Sequence, residues 1–189
     1  PRAVLLGGEG DAEVLFMQHF ESLYVQRGSG VVGTIKNARG KGAAHVVDFA
    51  FRQSRNAAYD VKAVLLDTDT DWNDKTRASA RKAKIHVMPC DPCFEAVLLN
   101  AHQAPVEGRM TAHLKQDFAA RFGAAASDAS VLQYFSRQVI EEARARIAVL
   151  DELVNLLTQG NIGGGSPFRG PPPAGAAASP LFLPRSPWA

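Results

Sequence analysis

The stretch VKAVLLDTDTD, residues 61–71, decides the fold. Val61, Ala63, Val64, Leu65 and Leu66 make an apolar run rich in branched residues and too short for an ordinary helix. It predicts a buried strand, covered on both faces, in a mainly parallel sheet. The run ends in alternating carboxylates, Asp67, Asp69 and Asp71. Acids at this spacing repel one another unless a cation sits among them, and hard oxygen donors suit Mg²⁺ or Mn²⁺. Open α/β sheets also place their sites at the carboxyl ends of strands. A plainer reading stands beside this one: an Asp-rich turn in which Asp71 or Asn73 caps the next helix. An EF-hand is excluded, since its sixth and twelfth positions counted from Asp67 hold Trp72 and Ala78.

Working towards the N-terminus, residues 3–6 (AVLL) read as a first strand that runs into Gly7-Gly8-Glu9-Gly10. Asp11 is a candidate N-cap, and Val14, Leu15, Met17 and Phe20 give the apolar face of a helix reaching about Tyr24. Glu9 therefore falls at a strand-to-helix turn and Glu13 in the first helical turn. Glu13 alone would be explained by the helix dipole. A dinucleotide fingerprint starting at Gly8 would need glycine at position 13, where Glu13 stands.

Residues 30–35 predict another strand, followed by Lys36-Asn37-Ala38-Arg39-Gly40-Lys41-Gly42. Lys36, Arg39 and Lys41 are candidates for holding phosphates, against the alternative of a solvated loop. A P-loop is excluded, because Ile35 stands for its first glycine and Gly42 for its Ser/Thr. Helices are expected over 43–55, 73–84 and 94–102, with a fourth strand over 85–88. The strand–helix alternation predicts an α/β domain. Cys90-Asp91-Pro92-Cys93 comes too late in the chain for a thioredoxin fold and lacks a second pair for zinc, so reduced, buried thiols are expected.

Helices are then predicted over 110–122 and, as one long amphipathic element capped by Asp128, over 128–159. This divides the chain into an α/β core (1–105), a helical segment packing on it (106–159) and a Gly/Pro/Ala-rich disordered tail (160–189). Leu181-Phe182-Leu183 and Trp188 in the tail read equally as a short docking motif or as a non-functional or frameshifted extension.

With 189 residues, a net charge of +2 and 46% hydrophobic residues, bulk charge argues neither for nor against nucleic acid. No apolar run is long enough to cross a membrane, and two cysteines do not make a disulfide framework. A cytoplasmic location without a signal peptide is the expectation.

The order Glu9-Gly10, Glu13, then Asp67-x-Asp69 resembles the Toprim domain of topoisomerases, bacterial primases and OLD-type nucleases. More closely, the chain resembles the RloB family of bacterial defence loci. Glu9-Gly10-Asp11-Ala12-Glu13 with Phe16, Tyr59-Asp60, Asp67-Thr68-Asp69 and Pro92-Cys93-Phe94-Glu95 with Leu98-Leu99 carry that resemblance over roughly residues 3–102. It implies a Mg²⁺- or Mn²⁺-dependent nuclease in antiviral defence. Glu9, Glu13, Asp67 and Asp69 would be catalytic, and Glu9, Asp67, Asp69 and Asp71 metal-ligating. Lys36, Arg39 and Lys41 would hold the DNA or RNA backbone. Glu95, in the first turn of the helix after Pro92-Cys93, would cap that helix or brace the site loops, with a direct catalytic role as the alternative. A partner ATPase or other defence protein, and a homo-oligomer, belong to the same expectation. The alternatives are a non-catalytic nucleic-acid-binding scaffold and a metal-dependent phosphotransferase on a small substrate.

Overall fold

The computed structural model describes residues 1–26 and 28–162. The sequence motifs at 181–183 and 188, and the tail from 163 on, lie outside the described residues.

Four parallel strands, β1 (Arg2–Gly8), β2 (Val31–Asn37), β3 (Val61–Asp67) and β4 (His86–Cys90), form one sheet in the order β2-β1-β3-β4. The expected α/β class is what is found. β1 and β3 are the central strands, and their last five residues are buried without interruption. That is the continuous apolar pattern of strands covered on both faces. Each strand runs somewhat further than its apolar residues alone indicated: β2 continues to Asn37 and β4 to Cys90.

Helices cover both faces. α2 (Ala43–Gln53) and α3 (Asp74–Lys82) lie on one side, where Val46, Val47, Ala50 and Ala80 pack with Val64 and Leu66. α1 (Asp11–Tyr24), α4 (Phe94–Ala101) and the C-terminal helices share the other core with Val4, Leu6, Ala63, Leu65 and Met88. Burying a Leu or Phe side chain in such a core stabilises by about 1.5–3 kcal/mol. Phe16, Phe94 and Phe135 meet edge to face there, with ring centroids 5.4 Å and 4.9 Å from Phe16.

α5 (Thr111–Phe122) falls where the periodicity places it. The single long helix expected over 128–159 does not form. The segment is a 3₁₀ turn (Ala129–Tyr134), α6 (Arg137–Arg144) and α7 (Ala148–Gln159). Asp128 caps the 3₁₀ turn, and Ser136 accepts the Val139 N–H to start α6. At the second break Arg146 donates to the carbonyls of Asn100 and Ala101, at 2.7 and 3.0 Å, fixing the bend against α4. The apolar stripe is thus shared by three short elements that turn to follow the core, and Val131, Phe135, Ile140, Ile147, Leu150 and Leu153 are all buried.

Candidate functional site

The strand order makes β1 and β3 neighbours, so their carboxyl ends deliver Glu9 and Asp67 side by side. Glu9 N–H donates to the Leu65 carbonyl at 3.2 Å, and Glu9 Oε2 accepts the Asp67 N–H at 3.0 Å. Asp67 Oδ1 in turn accepts the Phe94 N–H at 2.8 Å, at the first turn of α4. Glu95 follows immediately.

Glu13 enters from α1. The N-cap of that helix is Gly10 rather than Asp11, and Glu13 Oε2 reaches back to the Gly10 N–H at 2.8 Å. This is the reciprocal half of a capping box. Gly8 makes the approach close: a Cβ there would meet Met17 Cε at 2.9 Å and Glu13 Cβ at 3.0 Å. The missing side chain therefore lets α1 settle on the strand end and carries Glu13 inward, where it is buried.

These acids feel one another. Burial, then the charges of Glu13, Glu9 and Glu95, push the Asp67 carboxyl up to about 8. Glu13 is also raised, chiefly by burial, with Glu95 and Glu9 adding to it and its backbone hydrogen bonds opposing. A buried carboxylate among like charges is the situation that a proton or a cation relieves.

The three aspartates of the 67–71 turn part company. Asp69 N–H donates to the Pro92 carbonyl at 3.2 Å, and Asp69 Oδ2 accepts the Thr111 hydroxyl at 2.7 Å. Asp71 turns to the other face of the sheet, where its carboxylate accepts the N–H groups of Ala43 and Ala44 at 2.6 and 3.2 Å. It caps α2, not the helix that follows it; Asn73 caps α3 through the Thr76 N–H at 3.1 Å. The expectation of Asp71 as a metal ligand is met by a carboxylate already committed to a helix terminus.

Cys90 and Cys93 are free and buried. Burial raises Cys90 well above the usual thiol range and pushes Cys93 up to about 12. Neither has the thiolate character that redox exchange needs. Their turn supports the acids instead: Thr68 N–H donates to the Cys90 and Pro92 carbonyls, and Thr68 Oγ1 donates to Asp91 Oδ1 at 2.6 Å.

Lys36, Arg39 and Lys41 lie on the end of β2 and the loop after it, exposed, on the Glu9 side of the sheet. The loop is tied to the site through the Gly40 N–H, which donates to the Glu9 carbonyl at 2.7 Å.

Lys115 of α5 is a site residue that the motifs miss. It stands one turn beyond Thr111 and shares its helix face. Partial desolvation lowers its ammonium, but the negative charge of Glu95, Asp67 and Asp69 outweighs this and holds it above the usual lysine range. No local pattern could have found it, because α5 reaches the acids only through its packing on α4 and the Thr111–Asp69 bond.

Among the described residues no three His, Cys, Asp or Glu side chains stand as a group that could hold a metal ion. The donors themselves suit a hard divalent cation, since they are carboxylate oxygens, and Asp67 among them is buried beside the charges of Glu13, Glu9 and Glu95. Glu9 and Asp67 each spend an oxygen on a backbone N–H, so binding would draw on their remaining oxygens.

No protein-family model matches the chain, and comparison with curated proteins and with solved structures gave no match. Among the described residues no helix is long and apolar enough to cross a membrane.

Proposed function

We propose that the chain is a Mg²⁺- or Mn²⁺-dependent phosphodiesterase acting on DNA or RNA, as its resemblance to the RloB and Toprim families implies, with a role in prokaryotic antiviral defence. One observation carries the reading. Glu13 and Asp67 are buried where α1 and α4 meet the adjoining ends of the two central strands, and burial with the charges of Glu13, Glu9 and Glu95 pushes Asp67 up to about 8. Such a cluster is costly to keep charged without a cation.

Glu9, Asp67 and Asp69, which do not stand grouped in the structure, would have to draw together to hold the cation. When bound, it supplies positive charge that polarises the phosphodiester and stabilises the leaving oxygen. Glu9 takes the general acid/base position. Glu13 keeps its proton to higher pH than an exposed glutamate and braces the Glu9 turn through Gly10. Lys115 faces the acids from α5 and offers an ammonium to a phosphoryl oxygen. Lys36, Arg39 and Lys41 attract the backbone without reading sequence.

A second reading is favoured by a separate observation. Because no three ligating side chains are grouped among the described residues, a non-catalytic nucleic-acid-binding scaffold fits the arrangement as it stands. The third class, a phosphotransferase on a small substrate, has no nucleophile motif in its favour.

Cleavage of single- and double-stranded DNA and of RNA with Mg²⁺ or Mn²⁺, beside Asp67→Asn and Asp69→Asn, decides between them. Metal-dependent cleavage abolished by both substitutions is the expected result. Cleavage unchanged in both variants overturns the assignment. Oligonucleotide binding with neither cleavage nor calorimetric metal binding selects the scaffold.

A further inference from the structure

Beside Glu9 lies an open surface pocket of about 530 Å³ lined by Gly10, Asp11, Asn37, Arg39 and Gly40. It sits between the first turn of α1 and the loop after β2, and its walls are fixed. Asn37 Nδ2 donates to Asp11 Oδ1 at 2.6 Å, while Asn37 Oδ1 accepts the Arg39 N–H at 2.7 Å. The Gly40 N–H is held by the Glu9 carbonyl.

The loop also carries strain. Residues 39–42 have φ of 65°, 76°, 76° and 82°, so Arg39 and Lys41 stand beside two glycines in the left-handed region. A non-glycine residue is strained there and persists only where its surroundings fix it. Here the fixing bonds run to Asn37 and to the backbone of Glu9, and the result presents Arg39 on the pocket.

The lining decides what fits. A site for bare phosphate would offer donors alone, and the Asp11 carboxylate would repel it. Beyond their mutual bond, Asp11 keeps a second carboxylate oxygen and Asn37 a second Nδ2–H, an acceptor and a donor for a base edge or a pair of ribose hydroxyls. Arg39 suits the attached phosphate. The volume falls within the roughly 300–1,000 Å³ common for small-molecule sites.

We propose that this pocket is a nucleotide subsite, which takes one unpaired nucleotide next to the phosphodiester facing Glu9 and Asp67. The position of the cut rests on the function proposed above; the binding of a nucleotide does not. A nucleotide enters such a pocket only when it is out of the stack, so the substrate is single-stranded or locally unpaired nucleic acid rather than intact duplex.

The test is a titration of the isotope-labelled full chain, without divalent cation, with 5′-AMP, 5′-GMP, 5′-CMP, 5′-UMP and inorganic phosphate. The amide signals of Gly10, Asp11, Arg39 and Gly40 are followed by NMR. At least one nucleotide is expected to shift them to saturation while phosphate at the same concentration does not. Asn37→Ala and Arg39→Ala should weaken that binding tenfold or more, and Lys75→Ala on α3 should not change it. Arg39→Gly removes the guanidinium while easing the left-handed backbone, so it serves if the alanine variants fail to fold. No shift with any nucleotide, an equal shift with phosphate, or unchanged binding by Arg39→Gly overturns the subsite. Nucleotide binding with neither cleavage nor calorimetric metal binding leaves the subsite standing and sinks the nuclease reading. Cleavage lost in Asp67→Asn, without nucleotide binding at these amides, does the reverse.

Discussion

Thr111 Oγ1 donates to Asp69 Oδ2 at 2.7 Å, across 42 positions of sequence. This bond ties the first turn of α5 to the aspartate turn after β3. It places the same helix face, and with it Lys115, against Glu95, Asp67 and Asp69. The helical segment after residue 106 therefore contributes to the site as well as to the core.

Lys115→Ala should slow cleavage by roughly 10- to 100-fold, in the range for losing one group that stabilises developing charge. The loss should fall on kcat more than KM, with Lys115→Arg recovering part of it. Divalent-cation affinity should be unchanged or tighter, because an ammonium that competes for the acids is gone. Steady-state kinetics on an oligonucleotide, with calorimetry of Mg²⁺ binding, checks both halves.

Asp67 gives the fold a pH dependence of definite sign. Its carboxyl is raised from an ordinary value of 3.8 to about 8 in the folded chain, so the folded state holds the proton more tightly than the unfolded one. The resulting stabilisation is fully present below about pH 4 and is lost as pH rises through about 8. Asp67→Asn keeps an uncharged group there. It should remove most of this decline and stabilise the chain at pH 8.5 by about 1–3 kcal/mol, the usual scale for relieving an unpaired buried charge. Urea unfolding at pH 5.5, 7 and 8.5 measures it.

The same proton must leave when a cation binds. Mg²⁺ affinity should rise between pH 6 and 8.5, with release of up to about one proton per site at the lower end. Calorimetry in buffers of differing ionisation enthalpy counts that proton. An affinity flat across this range would remove Asp67 from the ligand set.

Asp71 and Gly42 form a second joint. Gly42 has φ 82°, and a Cβ on it would lie 2.6 Å from Asp71 Oδ1. Gly42→Ala should destabilise the chain by about 1–3 kcal/mol through strain and the lost cap. Asp71→Asn should cost about 1 kcal/mol and leave Mg²⁺ binding unchanged, as expected of a cap rather than a ligand. Denaturant unfolding and calorimetry separate the two roles.

The thiols should be inert in the folded chain. With Cys93 pushed up to about 12, Cys90 raised well above the usual thiol range and both buried, alkylation by iodoacetamide at pH 7.5 should be slow until denaturant is added. Rapid labelling of the native chain would contradict the burial of both.

What the sequence determined by itself was local. The branched apolar runs before Glu9 and Asp67, alternating with helical periods, were enough for an α/β chain with acids at strand ends, because side-chain periodicity reports directly which residues a strand or helix buries. Partners distant in sequence were decided only by tertiary structure. The order β2-β1-β3-β4 makes Glu9 and Asp67 neighbours, and nothing in either strand encodes that adjacency. Asp71 looks like Asp67 and Asp69 in a DTDTD run, yet two unpaired N–H groups at the start of α2 claim it. The stripe over 128–159 is helical in period throughout, but a straight helix of that length could not follow the core. Ser136 and Arg146 supply the hydrogen bonds that let it bend. Lys115 is brought towards the acids because α5 packs on α4 and Thr111 bonds Asp69, contacts that no residue spacing records.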